Sequence, residues 1–313
     1  MLLTSVSGRA SIVQRDVIAE SDHADAVLIS LVVATLNDSG DLVHCLESLC
    51  RQQDPPAFEI IIVDQNPTND LAATAAKFAS RLRIVYKHTT FQNASRARNL
   101  GAMLARGSWL GFPDDDCEIL PRALCEVRCS SADTAVQVIT GQTVDVDGLP
   151  NILRWKKEPF RYDRWTMFGC LTEATLFVRR KTFFLVGGFD QRFGPGAPFP
   201  AAEGVELMNR LFKRMAPGQA FYNPAIQMRH PTKVPPWNRS AVSRYHSYAI
   251  GDGALIAKSP ELHILNWGMR TLIRAALQTA TLDGWQSAAY FARLVGLLRG
   301  FLAYKFASLR CGD

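Results

Sequence analysis

The sequence predicts an α/β fold, a doubly wound and mostly parallel sheet flanked by helices, with a helical appendage at the C-terminus. Three observations carry that expectation. Short β-branched apolar runs alternate with stretches of helical periodicity through the first third of the 313-residue chain. Polar and acidic residues stand at the C-terminal end of each apolar run. After a proline-rich stretch at residues 231–240, the composition turns helical.

The elements follow in order. Residues 26–37, "AVLISLVVATLN", form a continuous apolar run, as in a strand buried on both faces. "DLVHCLESLCRQ" then sets Leu42, Leu46 and Leu49 at helical spacing. A second buried strand, "FEIIIVDQN" (58–66), is followed by the helix "DLAATAAKFAS", and a third strand by residues 82–88, "LRIVYKH". "ASRARNLGAMLARG" reads as a helix closed by Gly107, and "SWLGFPDDD" as a fourth strand running into three aspartates. Beyond it, "AVQVITGQTVDVDG", "EATLFVRR" and "PGQAFYNPAIQMRHP" read as strands and "EGVELMNRLFKRM" as a short helix. The expected organisation is a flexible tail over 1–26, a sheet domain over 27–235 and a helical segment over 236–313.

Composition narrows the function. Nearly half the residues are hydrophobic and a fifth are charged, enough for a large core. The net charge of +6 favours anionic partners, yet no RNA-binding signature accompanies it, so no nucleic acid is expected. Seven cysteines with no C-x-x-C pair fit reduced thiols better than zinc or disulfides, which implies a cytoplasmic protein. The N-terminus carries no apolar run long enough for a signal peptide.

In doubly wound sheets, ligands bind beyond the carboxyl ends of the strands. Thr35 and Asn37, Asp64 and Asn66, and the run Asp114, Asp115, Asp116 all fall there. A single aspartate would serve as a helix cap, here for "EILPRALCEV". Three in a row, with Asp64 at another strand end, exceed what a cap needs. A hard divalent cation, Mg²⁺ or Mn²⁺, held by oxygen ligands and carrying a nucleotide's phosphates, accounts for the cluster.

The stretches "VVATLNDSGDLVHCLESLCRQ", "EIIIVDQN", "ASRARNLGAMLARGSWLGFPDDDC" and "GGFDQRFGPGAPFPAAEGVEL", in that order, resemble the family 2 glycosyltransferases of GT-A fold over residues 27–235. The resemblance implies transfer of a sugar from a nucleotide-diphosphosugar, usually with inversion, to a glycan or lipid-linked acceptor in surface polysaccharide synthesis. It implies that Thr35, Asn37, Asp64, Asn66, Arg98 and Asn99 hold the donor. Asp114 would approach the ribose and share the metal with Asp116, Asp115 is the middle position, and His230 in "MRHP" is a further metal or diphosphate contact.

One position departs from the family. Where its pattern has Glu-Asp, any residue, Asp-Leu, this chain reads "EGVEL". Gly204 stands at the base, Glu203 before it and Glu206 at the second acidic site. Glu203 and Glu206 are the expected catalytic carboxylates, with Glu173 as a further candidate on the acceptor side. Two alternatives stay open, a catalytically inactive glycosyltransferase-like binding protein and a sugar-phosphate nucleotidyltransferase. The second would normally show a Gly-rich phosphate loop near the first strand, and "ATLNDSGDL" lacks one.

In the C-terminal segment, Leu265, Met269, Leu272, Ile273 and Ala276 share one helical face, and Trp267, Arg270 and Arg274 lie opposite. A Trp beside two arginines suits peripheral contact with the inner face of a membrane. Otherwise the apolar stripe packs on the sheet domain and the Trp face is solvated. Arg293, Arg299 and Lys305 interrupt the last apolar stretch, so a spanning helix is not expected.

Overall fold

The computed structural model describes residues 27–36 and 39–311. The expected 1–26 tail and Asn37 lie outside the described residues.

Buried apolar runs become the first strands. β1 (Ile29–Thr35) runs parallel to β2 (Phe58–Asp64), with Thr35 opposite Asp64, and β2 runs parallel to β3 (Ile84–His88). The intervening helices are α1 (Ser39–Cys50), α2 (Leu71–Ala76) and α3 (Ala94–Leu104). β4 (Trp109–Gly111) pairs parallel to the other side of β1. Alternate residues serve opposite layers. Leu31, Val33, Ile60 and Ile62 pack with Leu42 and Leu46 of α1, whereas Val32, Ile61 and Val63 pack with Ala97 and Ala102 of α3.

The second half is mixed. After β5 (Glu118–Ile119), α4 (Ala123–Ser131), β6 (Val138–Val144), β7 (Phe160–Tyr162), β8 (Leu176–Arg179), α5 (Arg180–Leu185), α6 (Glu203–Phe212) and β9 (Ala220–Arg229), the sheet order is β3-β2-β1-β4-β8-β6-β9-β5, with β7 also on β9. β8 enters antiparallel between β4 and β6, and β6 pairs parallel to β9. Residues expected to open a helix at "EILPRALCEV" instead make β5 against β9, and α4 starts at Ala123 with Arg122 at its cap. None of the three aspartates caps α4.

Three helices close the chain: α7 (Arg239–Lys258), α8 (Leu262–Thr281) and α9 (Gly284–Cys311). α7 and α9 cross closely through small residues. A Cβ at Gly253 would strike the Leu297 carbonyl, and one at Gly300 the Ile250 carbonyl.

α8 overturns an expectation. Its apolar stripe does not pack on the sheet domain, since Leu265, Met269, Leu272 and Ile273 are all exposed. Trp267 is the inward residue, stacked on Phe168 with ring centroids 4.9 Å apart. Helical spacing separates two faces but does not say which one meets the protein. Here an aromatic partner took the Trp side. No described helix is long and apolar enough to cross a membrane.

Candidate active site

The strand ends and α3 open onto a cleft of about 530 Å³. α3 begins where Asn93 caps it, accepting from the Arg96 N–H at 2.8 Å, and the Gln65 side chain at the end of β2 accepts from the Asn93 N–H at 2.7 Å. That start turns Arg98 inward, where it is only 5% exposed, while Arg96 lies over the Phe91 ring at the surface.

Arg98 joins the two acidic stretches. It donates to Asp114 Oδ1 at 2.8 Å and to Glu203 Oε1 at 3.0 Å. Burial opposes its charge, but Asp114 and Glu203 more than offset that and keep the guanidinium protonated. Beyond Asp114, the turn brings Asp114, Asp116, Cys117 and His230 together, with one potential ligand atom of each within 4.8 Å of the others. His230 Nε2 stands 3.8 Å from Asp114 Oδ2 and 3.7 Å from Asp116 Oδ1. Its Nδ1 lies 2.9 Å from the Pro231 carbonyl, so the neutral ring protonates Nδ1 and aims the Nε2 lone pair at the aspartates. Burial, with Asp114 and Asp116 adding, raises the Cys117 thiol far above its usual range and leaves it a poor ligand. Two carboxylates and an imidazole fit Mg²⁺ or Mn²⁺. Lys233 donates to Asp116 Oδ2 at 2.6 Å and supplies a second cation at the rim.

Asp115 lines the same cleft but lies outside that cluster. Burial pushes its carboxyl up to about 6, with the Thr35 hydroxyl opposing the rise and the charges of Asp114 and Asp116 adding to it.

Other expected residues lie beneath or beside the cleft. Asp64 is fully buried, accepting from the Tyr86 hydroxyl at 2.5 Å and from the Asn66 backbone and side-chain N–H groups at 2.9 Å. Thr35, Asp64 and Asn66 therefore shape the strand ends without forming the cleft wall. Asn99 clamps the turn before Asp190, donating to the Phe189 carbonyl and accepting from the Phe189 N–H, both at 2.8 Å. Glu206 lies outside the cleft, held by Arg210 at 2.6 Å and by Lys258 of α7. Lys258 also holds Asp190 at 2.6 Å, so this network ties α6 to α7.

The space beside Gly204 is filled. Glu173, on a single 3₁₀ turn before β8, reaches across and accepts from the Gly204 N–H at 2.8 Å. A Cβ at 204 would strike Glu173 Oε1 and lie 2.7 Å from its Cδ. Enclosure in the cleft wall pushes Glu173 up to about 7, with Glu203 adding to the rise and Arg98 opposing it. Sequence reading also missed part of the far wall, where α7 and α9 contribute Tyr248, Asp252 and Arg293. Arg293 donates to Asp252 at 2.9 Å. No motif marks these residues, because only the folding of the C-terminal helices back onto the sheet brings them near.

Comparison with known proteins agrees with this arrangement. The family model for "Glycosyl transferase family 2" matches residues 30–190. A "PGL/p-HBAD biosynthesis glycosyltransferase" of Mycobacterium bovis is 28% identical over 178 residues, covering 54% of this chain and 65% of the relative. The chain thus spans a little under two thirds of the length of such curated relatives. Among solved structures, S. aureus TarS 1–349 is similar with a TM-score of 0.57 at 14% identity, covering 92% of both chains. The mannosyltransferase PcManGT of Pyrobaculum calidifontis, solved with GDP-Man and Mn²⁺, is similar with a TM-score of 0.54 at 16% identity, over 93% of this chain and 77% of that one. At such identities the two structures establish the GT-A fold alone.

Proposed function

Because the chain belongs to glycosyl transferase family 2, we propose that it moves a sugar, with inversion, from a nucleotide-diphosphosugar to a hydroxyl of a glycan or lipid-linked acceptor. The observation that carries the donor half is the convergence of Asp114, Asp116 and His230 Nε2 at the strand ends, beside the buried cation Arg98. Those three side chains would hold Mg²⁺ or Mn²⁺, which when bound stabilises negative charge on a departing diphosphate. Lys233 would balance the remaining phosphate charge from the rim. Thr35 and Asp64 would support the nucleoside end from beneath the cleft wall, and Asp114 would approach the ribose. Structures similar to this fold were solved with UDP and with GDP-Man, which supports a nucleoside diphosphate in this position.

Glu173 is our assignment for the base. Glu203 is held in a buried ion pair with Arg98, and Glu206 lies outside the cleft. Glu173 lines the cleft and occupies the volume that a side chain at 204 would need. Its carboxylate takes the acceptor hydroxyl's proton as that oxygen bonds to the anomeric carbon. The bond from that carbon to the diphosphate oxygen breaks, and its electron pair leaves with the diphosphate. A base with a pKa near 7 suits transfer near neutral pH.

A panel of UDP-, GDP-, dTDP- and CDP-sugars, read by thermal shift with and without Mn²⁺, tests the reading. A donor should raise the melting temperature with Mn²⁺ and be consumed when acceptor is supplied. No metal-dependent shift with any donor would overturn it.

A further inference from the structure

A second and larger cleft, of about 1080 Å³, lies between the β6–β7 link and α8. Ile152 and Trp267 line both this cleft and the donor cleft, so the two meet. The β6–β7 link is fastened to the metal-site exit, since the Asn151 side chain donates to the His230 carbonyl at 2.9 Å and to the Thr232 hydroxyl at 3.0 Å. At the junction Ile152 adopts φ +65°, a conformation that a β-branched residue rarely takes and that stores strain.

The lining has one sign of charge. Arg154, Lys156, Arg270 and Arg274 face the cleft, and among the described residues no Asp or Glu does. Among the described residues, none of these four cations forms an ion pair within 4 Å. Arg270 and Arg274 are one helical turn apart and repel each other, at a cost of a few tenths of a kcal/mol. A fold that gathers four unpaired cations in a concave site has built an anion site. Its floor is aromatic, with Trp267 stacked on Phe168 and Trp165 half exposed beside them.

Part of the lining on α8 is apolar. Ile273 and Leu277 line the cleft there and also belong to the outward face of α8 with Leu272 and Met269. An occupant is therefore anionic where the arginines are and hydrocarbon where it lies along α8. Resting on the glycosyltransferase reading above, we propose that this cleft is the acceptor site and that it takes a lipid-linked acceptor bearing a phosphate. The phosphate sits among Arg154, Lys156, Arg270 and Arg274, the polar head stacks on Trp165 as it enters the donor cleft past Ile152, and the lipid chain lies along Ile273 and Leu277. A soluble phosphosugar would leave the apolar lining unused, and a neutral lipid would leave the four cations without a counter-charge.

The test uses the full chain in EDTA with no donor, so that it reads this site alone. Farnesyl phosphate, below its micelle concentration, is titrated while the intrinsic tryptophan fluorescence, to which Trp165 and Trp267 contribute, is followed, with farnesol and inorganic phosphate as separate arms. Saturable quenching by farnesyl phosphate is expected, with each of the other two binding at least ~10-fold more weakly. Arg270→Ala/Arg274→Ala should weaken farnesyl phosphate at least ~10-fold with an unchanged melting curve, as both side chains are exposed. Equal binding of farnesol would overturn the anionic head, and equal binding of inorganic phosphate the lipid. Wild-type affinity in the double variant, or no saturation, would overturn the site. Donor binding with Mn²⁺, measured separately, isolates the two readings: a protein that binds donor but not farnesyl phosphate loses only this inference, and the converse result removes only the reading of the donor cleft.

Discussion

The strand-end cleft and the α8–α9 surface treat their side chains in opposite ways. Around Arg98 nearly every charged group has a partner: Asp114 and Glu203 on the arginine, Lys233 on Asp116, Gly204 N–H on Glu173. On α8 and α9, large apolar residues such as Met269, Ile273, Phe291, Leu298 and Phe306 face outward without cover. Matched polar groups in a recess hold reacting atoms in place, and a misplacement of about 1 Å can cost ~100-fold in rate. Uncovered apolar surface of this extent marks a place where something else binds. The first region is suited to catalysis and the second to association.

That contrast is most exposed at Glu173. If its carboxylate is the base, Glu173→Gln keeps an acceptor for the Gly204 N–H but cannot take a proton. Turnover should fall ~100- to 10,000-fold with donor affinity nearly unchanged. The wild-type rate should rise with pH through an inflection near 7, since the base works ionised and its carboxyl sits at about 7. Glu203 and Asp114 push that inflection up, while Arg98, and a cation bound at Asp114 and Asp116, pull it down. Steady-state rates across pH 5 to 9 for both proteins check this, and an unchanged profile in Glu173→Gln would exclude the assignment.

Asp116→Asn should abolish Mn²⁺-dependent donor binding without unfolding the chain. Changes to groups that merely support a ligand cost ~10- to 100-fold in metal affinity, and loss of a ligand should cost more. Calorimetry with Mn²⁺ reads this directly, and equal donor affinity in both proteins would remove Asp116 from the metal site. A smaller effect tests whether Glu173 and position 204 share one volume. Glu173→Ala frees the space that Gly204 leaves, so adding Gly204→Asp should recover at least ~10-fold of the lost turnover. Gly204→Asp alone should lower activity, because it drives the Glu173 carboxylate aside. Additive losses in the double variant would show that the two positions act independently.

The sheet half was legible in the sequence because a strand buried on both faces leaves an unbroken apolar run, as in residues 60–63, and because its end is where polarity returns, at Asp64. The aspartates were legible for the same reason. The base was not. Glu173 is distant in sequence from Gly204, and its approach depends on β8 entering antiparallel between β4 and β6, a pairing that no local pattern encodes. β5 was hidden by its length, since a two-residue strand has no periodicity.

The smallest expected effect concerns α8, where the sequence offered two faces and no means to choose. A Leu or Ile that packed into a core would lose about 2–5 kcal/mol on truncation, from lost burial and the cavity left behind. Leu272 and Ile273 are 43% and 51% exposed, so Leu272→Ser/Ile273→Ser should change unfolding stability by no more than ~0.5 kcal/mol. Trp267→Ala, on the opposite face, removes the ring stacked on Phe168 and should lower the melting temperature measurably. The same Ser variant should separate from wild type in a second measurement, flotation with vesicles containing anionic phosphatidylglycerol. The exposed face would lay its side chains among the acyl chains while Arg270 and Arg274 at its edge met the headgroups. Wild type should float at low salt and float less as salt screens the arginines. The Ser variant should stay at the bottom at every salt concentration. If the two proteins float alike, membrane contact does not run through α8. If instead the Ser variant unfolds several degrees early, Leu272 and Ile273 are core residues, and the contrast between a matched cleft and an uncovered surface fails on that helix.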